Sequence, residues 1–283
     1  MSLKSKFIYL TDTNPFFENL KLYYWRVKNL PDQIRVEKGI KKRKAGENDP
    51  RFERIKKYKN KHKGQRCFIV ATGPSLTMED LSQLKNEITF GMNSITKIFD
   101  KTDWRPTYYG IQDPLVYEKM EESILAAYKN SDNVFVADYL GLYFKIPNNF
   151  IPFPYNGHYH IYRGKYTDYS AEFSDNAYEV VYDGYTITYS LIQIAVYMGF
   201  EEIYLIGADS TYKKGGNNHF VESGFVDKNA HTSFNRLMTG YYEAKRYAEK
   251  HNIKIFNATR GGALEVFPRV DFDEFCHRSL KHE

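Results

Sequence analysis

Arg66-Cys67-Phe68-Ile69-Val70-Ala71-Thr72-Gly73-Pro74-Ser75-Leu76 is the stretch on which the fold turns. Cys67 to Ala71 form a continuous apolar run rather than an alternating one. A strand of that kind is buried on both faces and belongs to a parallel sheet covered by helices. Thr72-Gly73-Pro74-Ser75 reads as the turn after that strand. Thr77 then opens a helix over TMEDLSQL, with Asp80 at capping-box spacing, although the strict box takes Glu or Gln.

Working outward, the same alternation recurs. Ile88 to Asn93, Thr107 to Ile111, Asn133 to Ala137, Glu202 to Gly207 and Lys254 to Ala258 read as strands. Val116 to Tyr128, Thr188 to Gly199 and about Ser233 to His251 read as helices, with Gly199 as a C-terminal stop. The expectation is an α/β fold: a Rossmann-like, mostly parallel sheet with helices on both faces. Residues 141–185 and 211–230 are irregular, long enough to be functional loops or disordered ones. Upstream, Phe16, Phe17, Leu20, Tyr23, Tyr24 and Val27 make an amphipathic helical stripe that Pro31 should break, and Phe52 to Tyr58 reads as a second helix. The expected division is an N-terminal helical extension over 1–64 and a Rossmann-like domain over 65–283.

The chain has 283 residues, enough for one large domain with a proper core, and its 42% hydrophobic and 27% charged residues are ordinary for a folded protein. Its 25 Tyr against 2 Trp suit sugar or nucleotide handling, though codon bias toward Tyr, Phe, Lys and Asn would give the same count. The net charge of +5 is concentrated between Lys38 and Lys63. Such a run meets an anion or is simply a solvated helix face. It lacks the aromatic interleaving of a nucleic-acid platform, so nucleic acid is not an expected partner. Peripheral contact of this basic segment with the inner face of a membrane stays open, as does a homo-oligomer.

Two cysteines make no disulfide framework, and Cys67 reads as a small core residue. The opening residues lack a signal peptide's apolar stretch, and no segment approaches the ~18 apolar residues of a membrane span. The expected compartment is the cytoplasm.

Open parallel sheets bind ligands at the carboxyl ends of their strands. The residues at those ends are Thr72-Gly73-Pro74-Ser75, Asn93-Ser94, Gln112-Asp113, Ala208-Asp209-Ser210 and Asn257 to Gly262. The first turn has neither the Lys of a Walker loop nor GxGxxG spacing. Its glycine still admits a ligand to the backbone, and the next helix could aim free N–H groups at an anion. Asp209 could bind a ribose hydroxyl, a metal or an acceptor, or act as a structural cap. Asp113 has the same options, and Asn93 could hold a base or sugar, or tie down a turn. His158, His160, His219 and His231 lie in or beside the long loops, and His231, just ahead of a helix, is the candidate general base. No HExxH, CxxC or GxSxG is present, so a zinc site and a hydrolase elbow are not expected.

CFIVATGPSL, EITFGMNSI, YYGIQDP, TITYSLIQIAVYMGFEEIYLIGADSTY and IFNATRGGALEVFPRV together resemble the MptE-like family. That group includes archaeal 6-hydroxymethylpterin pyrophosphokinases and proteins of bacterial polysaccharide clusters. The pattern is also similar to bacterial lipooligosaccharide sialyltransferases. The resemblance implies a transferase whose domain at 65–283 binds a nucleotide-linked donor. Thr72, Gly73, Pro74 and Ser75 would cradle phosphate or ribose, with Asn93, Asp113, Thr186 and Thr188 also on the donor. Tyr212 would steady the leaving phosphate, His231 would act on the acceptor, and Asp209 is the third catalytic candidate. Three positions depart from the sialyltransferase pattern: Asp stands for Asn at 113, the Thr186 loop differs, and ungapped alignment puts Asn235 at the base position.

Two activities are implied by the resemblance. The favoured one is a glycosyltransferase of surface polysaccharide synthesis, taking a nucleotide-sugar donor and a glycan acceptor and requiring no cofactor. The other is a pyrophosphokinase using ATP and Mg²⁺, with Asp113 and Asp209 on the metal. A non-catalytic nucleotide- or glycan-binding protein is the third reading.

Overall fold

The computed structural model describes residues 14–159, 169–211, 220 and 230–279. Its centre is a seven-stranded sheet built from β1 (Arg66–Val70), β2 (Thr89–Met92), β3 (Tyr108–Ile111), β4 (Val134–Ala137), β5 (Ile151–Phe153), β8 (Glu202–Ile206) and β9 (Lys254–Asn257). The order is β5-β4-β3-β2-β1-β8-β9, and every pairing is parallel. A two-stranded parallel ribbon, β6 (Tyr155–Asn156) with β7 (Val181–Tyr182), continues beyond β5. The chain steps outward from β1 to β5, then returns to the other flank for β8 and β9. The tips of β1 and β8 therefore meet at a topological switch point, where sheets of this kind leave a crevice.

The apolar run at Cys67 behaves as its composition demands. Cys67, Ile69 and Ala71 enter one core layer with Leu191, Ile194, Leu237 and Tyr241. Phe68 and Val70 enter the opposite layer with Leu81, Trp104, Tyr117 and Ile124. Helices α4 (Ile187–Tyr197) and α5 (Ala230–Lys250) cover the first face, and α2 (Met78–Gln83) and α3 (Pro114–Tyr128) the second. The expected α/β architecture is therefore present. At Thr77 the box closes with an aspartate: Asp80 N donates to Thr77 Oγ1, and Thr77 N donates to Asp80 Oδ2 at 2.8 Å. Gly199, at φ +88°, ends α4 as expected.

Several local expectations fail. Helix α1 (Pro15–Lys44) runs straight through Pro31, which leaves one carbonyl without its helical donor but does not end the helix. Its stripe is also not a core face: Phe16, Leu20, Tyr23, Tyr24 and Val27 are all more than half exposed. Further along, residues 141–185 are not wholly irregular, because Ile151-Pro152-Phe153 forms the edge strand β5. Three residues containing a proline give no strand signal, yet an edge position tolerates the missing N–H. A 3₁₀ turn at Glu53–Tyr58 replaces the expected helix, and Phe52, Ile55 and Tyr58 are buried in the first core layer.

Candidate functional site

At the switch point lies a cleft of about 110 Å³ between the tips of β1, β2 and β8 and the first turn of α4. Thr72 and Gly73 form one wall, Asn93 another, and Gly207 to Thr211 a third; Thr186, Thr188, Leu237 and Tyr241 close it from the helices. It is rich in hydroxyl groups, Asp209 is its one acidic residue, and no Lys or Arg lines it among the described residues.

The turn after β1 is fixed by close backbone packing on β8. Gly73 N donates to Gly207 O at 2.8 Å, and a Cβ on Gly73 would overlap both Gly207 O and Asp209 Oδ2. Gly207 itself sits at φ +66°, where a side chain would be strained. Asp209 Oδ2 accepts from Ser75 Oγ at 2.8 Å and from Ser75 N at 3.4 Å. Leu76 N turns back to Gly73 O. The amides of Gly73, Ser75 and Leu76 therefore point to internal acceptors, and Thr77 caps α2. Thr72 and Gly73 do face the cleft, whereas Pro74 is exposed and Ser75 serves Asp209.

Asn93 is the most unusual residue of the site. It holds φ +48°, a left-handed conformation that costs a non-glycine residue energy. Its backbone carbonyl accepts from Tyr109 Oη at 2.7 Å, while its side-chain Oδ1 is buried without a hydrogen-bond partner. Two further residues beside the cleft, Tyr185 at φ +65° and Ser210 at φ +52°, share the left-handed backbone. Such orphaned and strained groups concentrate where a ligand completes the structure.

Thr186 caps α4, accepting from Thr188 N at 3.3 Å, and the positive end of that 11-residue helix opens onto the cleft. Thr188 Oγ1 reaches Met92 Sδ at 3.5 Å. Tyr241, from α5, sets its hydroxyl among Thr188, Thr186 and Ser210; burial pushes its pKa up to about 12, against those hydrogen bonds. Sequence reasoning gives neither Tyr241 nor Ser210 a role of its own. Ser210 could be found as the neighbour of Asp209, but a tyrosine in the middle of an amphipathic helix carries no local signal. Nearby on α5, the Arg236 guanidinium lies 5.4 Å over the Tyr169 ring, and its buried Nε has no hydrogen-bond partner. Tyr169 in turn meets the Tyr185 ring edge-on at 5.7 Å.

The remaining predicted positions separate. Asp113 caps α3, accepting from Leu115 N and Val116 N through Oδ1, and does not line the cleft. β3 and β8 are three strand spacings apart, about 14 Å, and Asp113 and Asp209 stand beyond the ends of these separate strands. Among the described residues no three His, Cys, Asp or Glu gather as metal ligands. Gln112 is buried, accepting from Ser190 Oγ at 2.7 Å and donating to Asp183, and Thr259 spends its hydroxyl on Ala208 N. Tyr212, His160 and His219 lie outside the described residues, as does the side chain of His231, whose backbone is in the first turn of α5.

The model of the 6-hydroxymethylpterin diphosphokinase MptE-like family matches residues 43–215, more than half of the chain and including β1, Asn93, Thr186 and Asp209. The chain belongs to the MptE-like family. No curated protein matches this MptE-like chain. Among solved structures it is similar to the MAf glycosyltransferase of Magnetospirillum magneticum AMB-1, at 15% identity and a TM-score of 0.46. That likeness covers 79% of this chain and 38% of the other, so the chain spans well under half of that protein's length. The sialyltransferase CstII of Campylobacter jejuni, solved with the substrate analogue CMP-3FNeuAc, aligns at 14% identity and a TM-score of 0.35, over 73% of this chain and 86% of that one. Among the described residues of the MptE-like chain, no helix is long and apolar enough to cross a membrane.

Proposed function

We propose that this MptE-like protein is a transferase that holds a nucleotide-linked donor at the β1–β8 switch point, and that it transfers a sugar. Asn93 carries the reading. Its orphaned Oδ1 and left-handed backbone present a buried acceptor that a base amine or a sugar hydroxyl would satisfy. Thr72, Thr188, Ser210 and Tyr241 supply hydroxyls around it, and the positive end of α4 favours the donor's anionic part. Arg236 is the nearby cation available to a phosphate or carboxylate. In this reading the donor engages these groups rather than the amides of residues 72–75. The cleft accepts one ring-sized portion of the donor, and the rest extends past it.

His231 is the proposed base, deprotonating the acceptor hydroxyl as it attacks the anomeric carbon, while the nucleotide phosphate departs with Tyr212 steadying it. The backbone of His231 stands six positions before Leu237, about 9 Å along the helix axis. The family's description supports a second reading, diphosphate transfer to a pterin-type alcohol, for which ATP would be the donor and Mg²⁺ the metal. In that reading Asp209, which accepts from Ser75 through Oδ2, and Asp113, which caps α3 through Oδ1, would each offer the metal its other carboxylate oxygen.

A thermal-shift panel of CMP, UDP, GDP and ATP, each with and without Mg²⁺, separates the two. Stabilisation by a nucleoside mono- or diphosphate without metal supports the glycosyltransferase. Stabilisation by ATP with Mg²⁺ alone refutes it in favour of the kinase. Nucleotide binding with no donor consumed in any acceptor assay supports the non-catalytic reading instead.

A further inference from the structure

A second cavity, larger than the switch-point cleft, lies apart from it. It encloses about 600 Å³ and runs alongside the edge strand β5, from Asn148 and Phe150 before it to Pro154 and Tyr155 after it, next to the end of β4. Its floor is Ala137-Asp138 and Pro154-Tyr155; its walls are the second half of α1, the Arg51–Arg54 segment and the 141–148 turn. Ordinary ligand sites fall between about 300 and 1,000 Å³.

Four guanidiniums line it: Arg35, Arg43, Arg51 and Arg54. Arg54 donates to the backbone carbonyls of Asn148, Asn149 and Phe150, neutral acceptors that position its charge without neutralising it. Arg43 and Arg51 share one carboxylate, Asp49, at 3.0 and 2.7 Å. Arg35 pairs with Asp32 at 3.1 Å, both side chains being more than half exposed. The remaining acid, Asp138, accepts from Tyr155 N at 3.0 Å, and burial drives its carboxyl above the usual carboxylate range. Positive charge is therefore in excess. His158 adds a buried Nδ1 that has no hydrogen-bond partner.

Aromatic surface accompanies the charge. Tyr139 stacks on Tyr155 at 4.9 Å, and Tyr143, 67% exposed, stands at the rim. Flat apolar rings beside fixed guanidiniums match the two faces of an acidic sugar, its C–H face and its anionic group. Hydrogen bonds through Gln112 join a wall of the cavity to the helix beside the donor cleft. Tyr139 Oη donates to Gln112 O, and Gln112 Oε1 accepts from Ser190 on α4, the helix whose first turn lines the cleft.

We propose that this cavity is a second ligand site that takes a saccharide carrying a carboxylate or phosphate, and that it holds the acceptor for the transfer. The acceptor role rests on the donor reading above; the site itself rests on the cavity's own geometry.

Isothermal titration of the full chain tests it with methyl β-glucuronide, glucose 6-phosphate and neutral methyl β-glucoside. At least one acidic sugar should bind about tenfold tighter than the neutral one, and the two acidic arms tell carboxylate from phosphate. Arg35→Gln and Tyr143→Ala, both at exposed side chains that leave the fold intact, should each weaken that binding about three- to tenfold. Nucleotide-induced thermal shifts should not change in either variant. Equal binding of acidic and neutral sugars, binding indifferent to both substitutions, or no binding at all overturns the site. Nucleotide stabilisation without sugar binding leaves the donor reading standing and removes this one. Acidic-sugar binding without any nucleotide effect keeps the site and removes its acceptor role.

Discussion

Replacing Gly73 with alanine tests the packing on which the switch-point cleft depends. The new Cβ would overlap Asp209 Oδ2 and Gly207 O and stand 2.8 Å from Asp209 Cγ. The carboxylate could swing away, but Gly207 O is backbone and is already held against Gly73 N at 2.8 Å. Accommodation therefore requires the β1 and β8 tips to separate and the Ser75–Asp209 bonds to break. Hydrogen bonds to a charged group contribute about 1.5–3 kcal/mol. Overpacking adds about 1–3 kcal/mol, so the expected loss is roughly 3–5 kcal/mol. Urea denaturation of Gly73→Ala measures it directly. Gly141→Ala is the control: an added Cβ there meets nothing within 4 Å, so its cost should stay within about 0.5 kcal/mol. Pairing Gly73→Ala with Asp209→Ala removes one of the two overlaps, so the double variant should be less destabilised than the sum of the singles. A loss below about 1 kcal/mol for Gly73→Ala, or strict additivity in the double variant, refutes the reasoning.

Asn93→Gly should separate stability from binding. Glycine relieves the left-handed strain by up to about 1 kcal/mol, and the lost Oδ1 had no partner, so stability should hold or rise while the nucleotide-induced thermal shift falls; an unchanged shift removes Asn93 from the site. Tyr241→Phe should cost about 1–2 kcal/mol in urea titration by taking away the hydroxyl shared with Thr186, Thr188 and Ser210, and no measurable loss would mean those bonds contribute nothing. His62 is held below its ordinary 6.5 chiefly by burial, and its Nε2 lies 2.7 Å from Tyr108 Oη. A depressed folded pKa gives stability that is present above 6.5 and lost as pH falls through the folded value. The urea midpoint should therefore drop between pH 7.5 and 5.5, less so in His62→Gln, and equal drops in both proteins would assign the acid sensitivity elsewhere.

The parallel sheet was legible because its strands are continuous apolar runs and its helices have a period. β5 was not, since three residues around a proline have no pattern of their own, and its identity comes from pairing with β4. The exposed stripe on α1 shows the opposite failure: periodicity announces an apolar face but not what lies against it. In the cleft, Thr72, Gly73, Asn93, Thr186, Thr188 and Asp209 were readable as strand-end or helix-start residues. Pro74, Ser75 and Asp113 were readable by the same rule yet face elsewhere, because a polar residue at an element's end caps that element as readily as it faces a ligand.

By itself, then, the sequence determined the strand-and-helix alternation, the sheet class and the tips where a ligand would be sought, all of which arise from local pattern. Only the tertiary structure decided that the amides of Gly73 and Ser75 turn to the residues just after β8, that Asn93 Oδ1 is left without a partner, and that α1 closes an arginine-lined cavity over β4 and β5. Those outcomes depend on which groups meet across more than a hundred residues of chain, and hydrogen-bond satisfaction is settled by that meeting rather than by spacing.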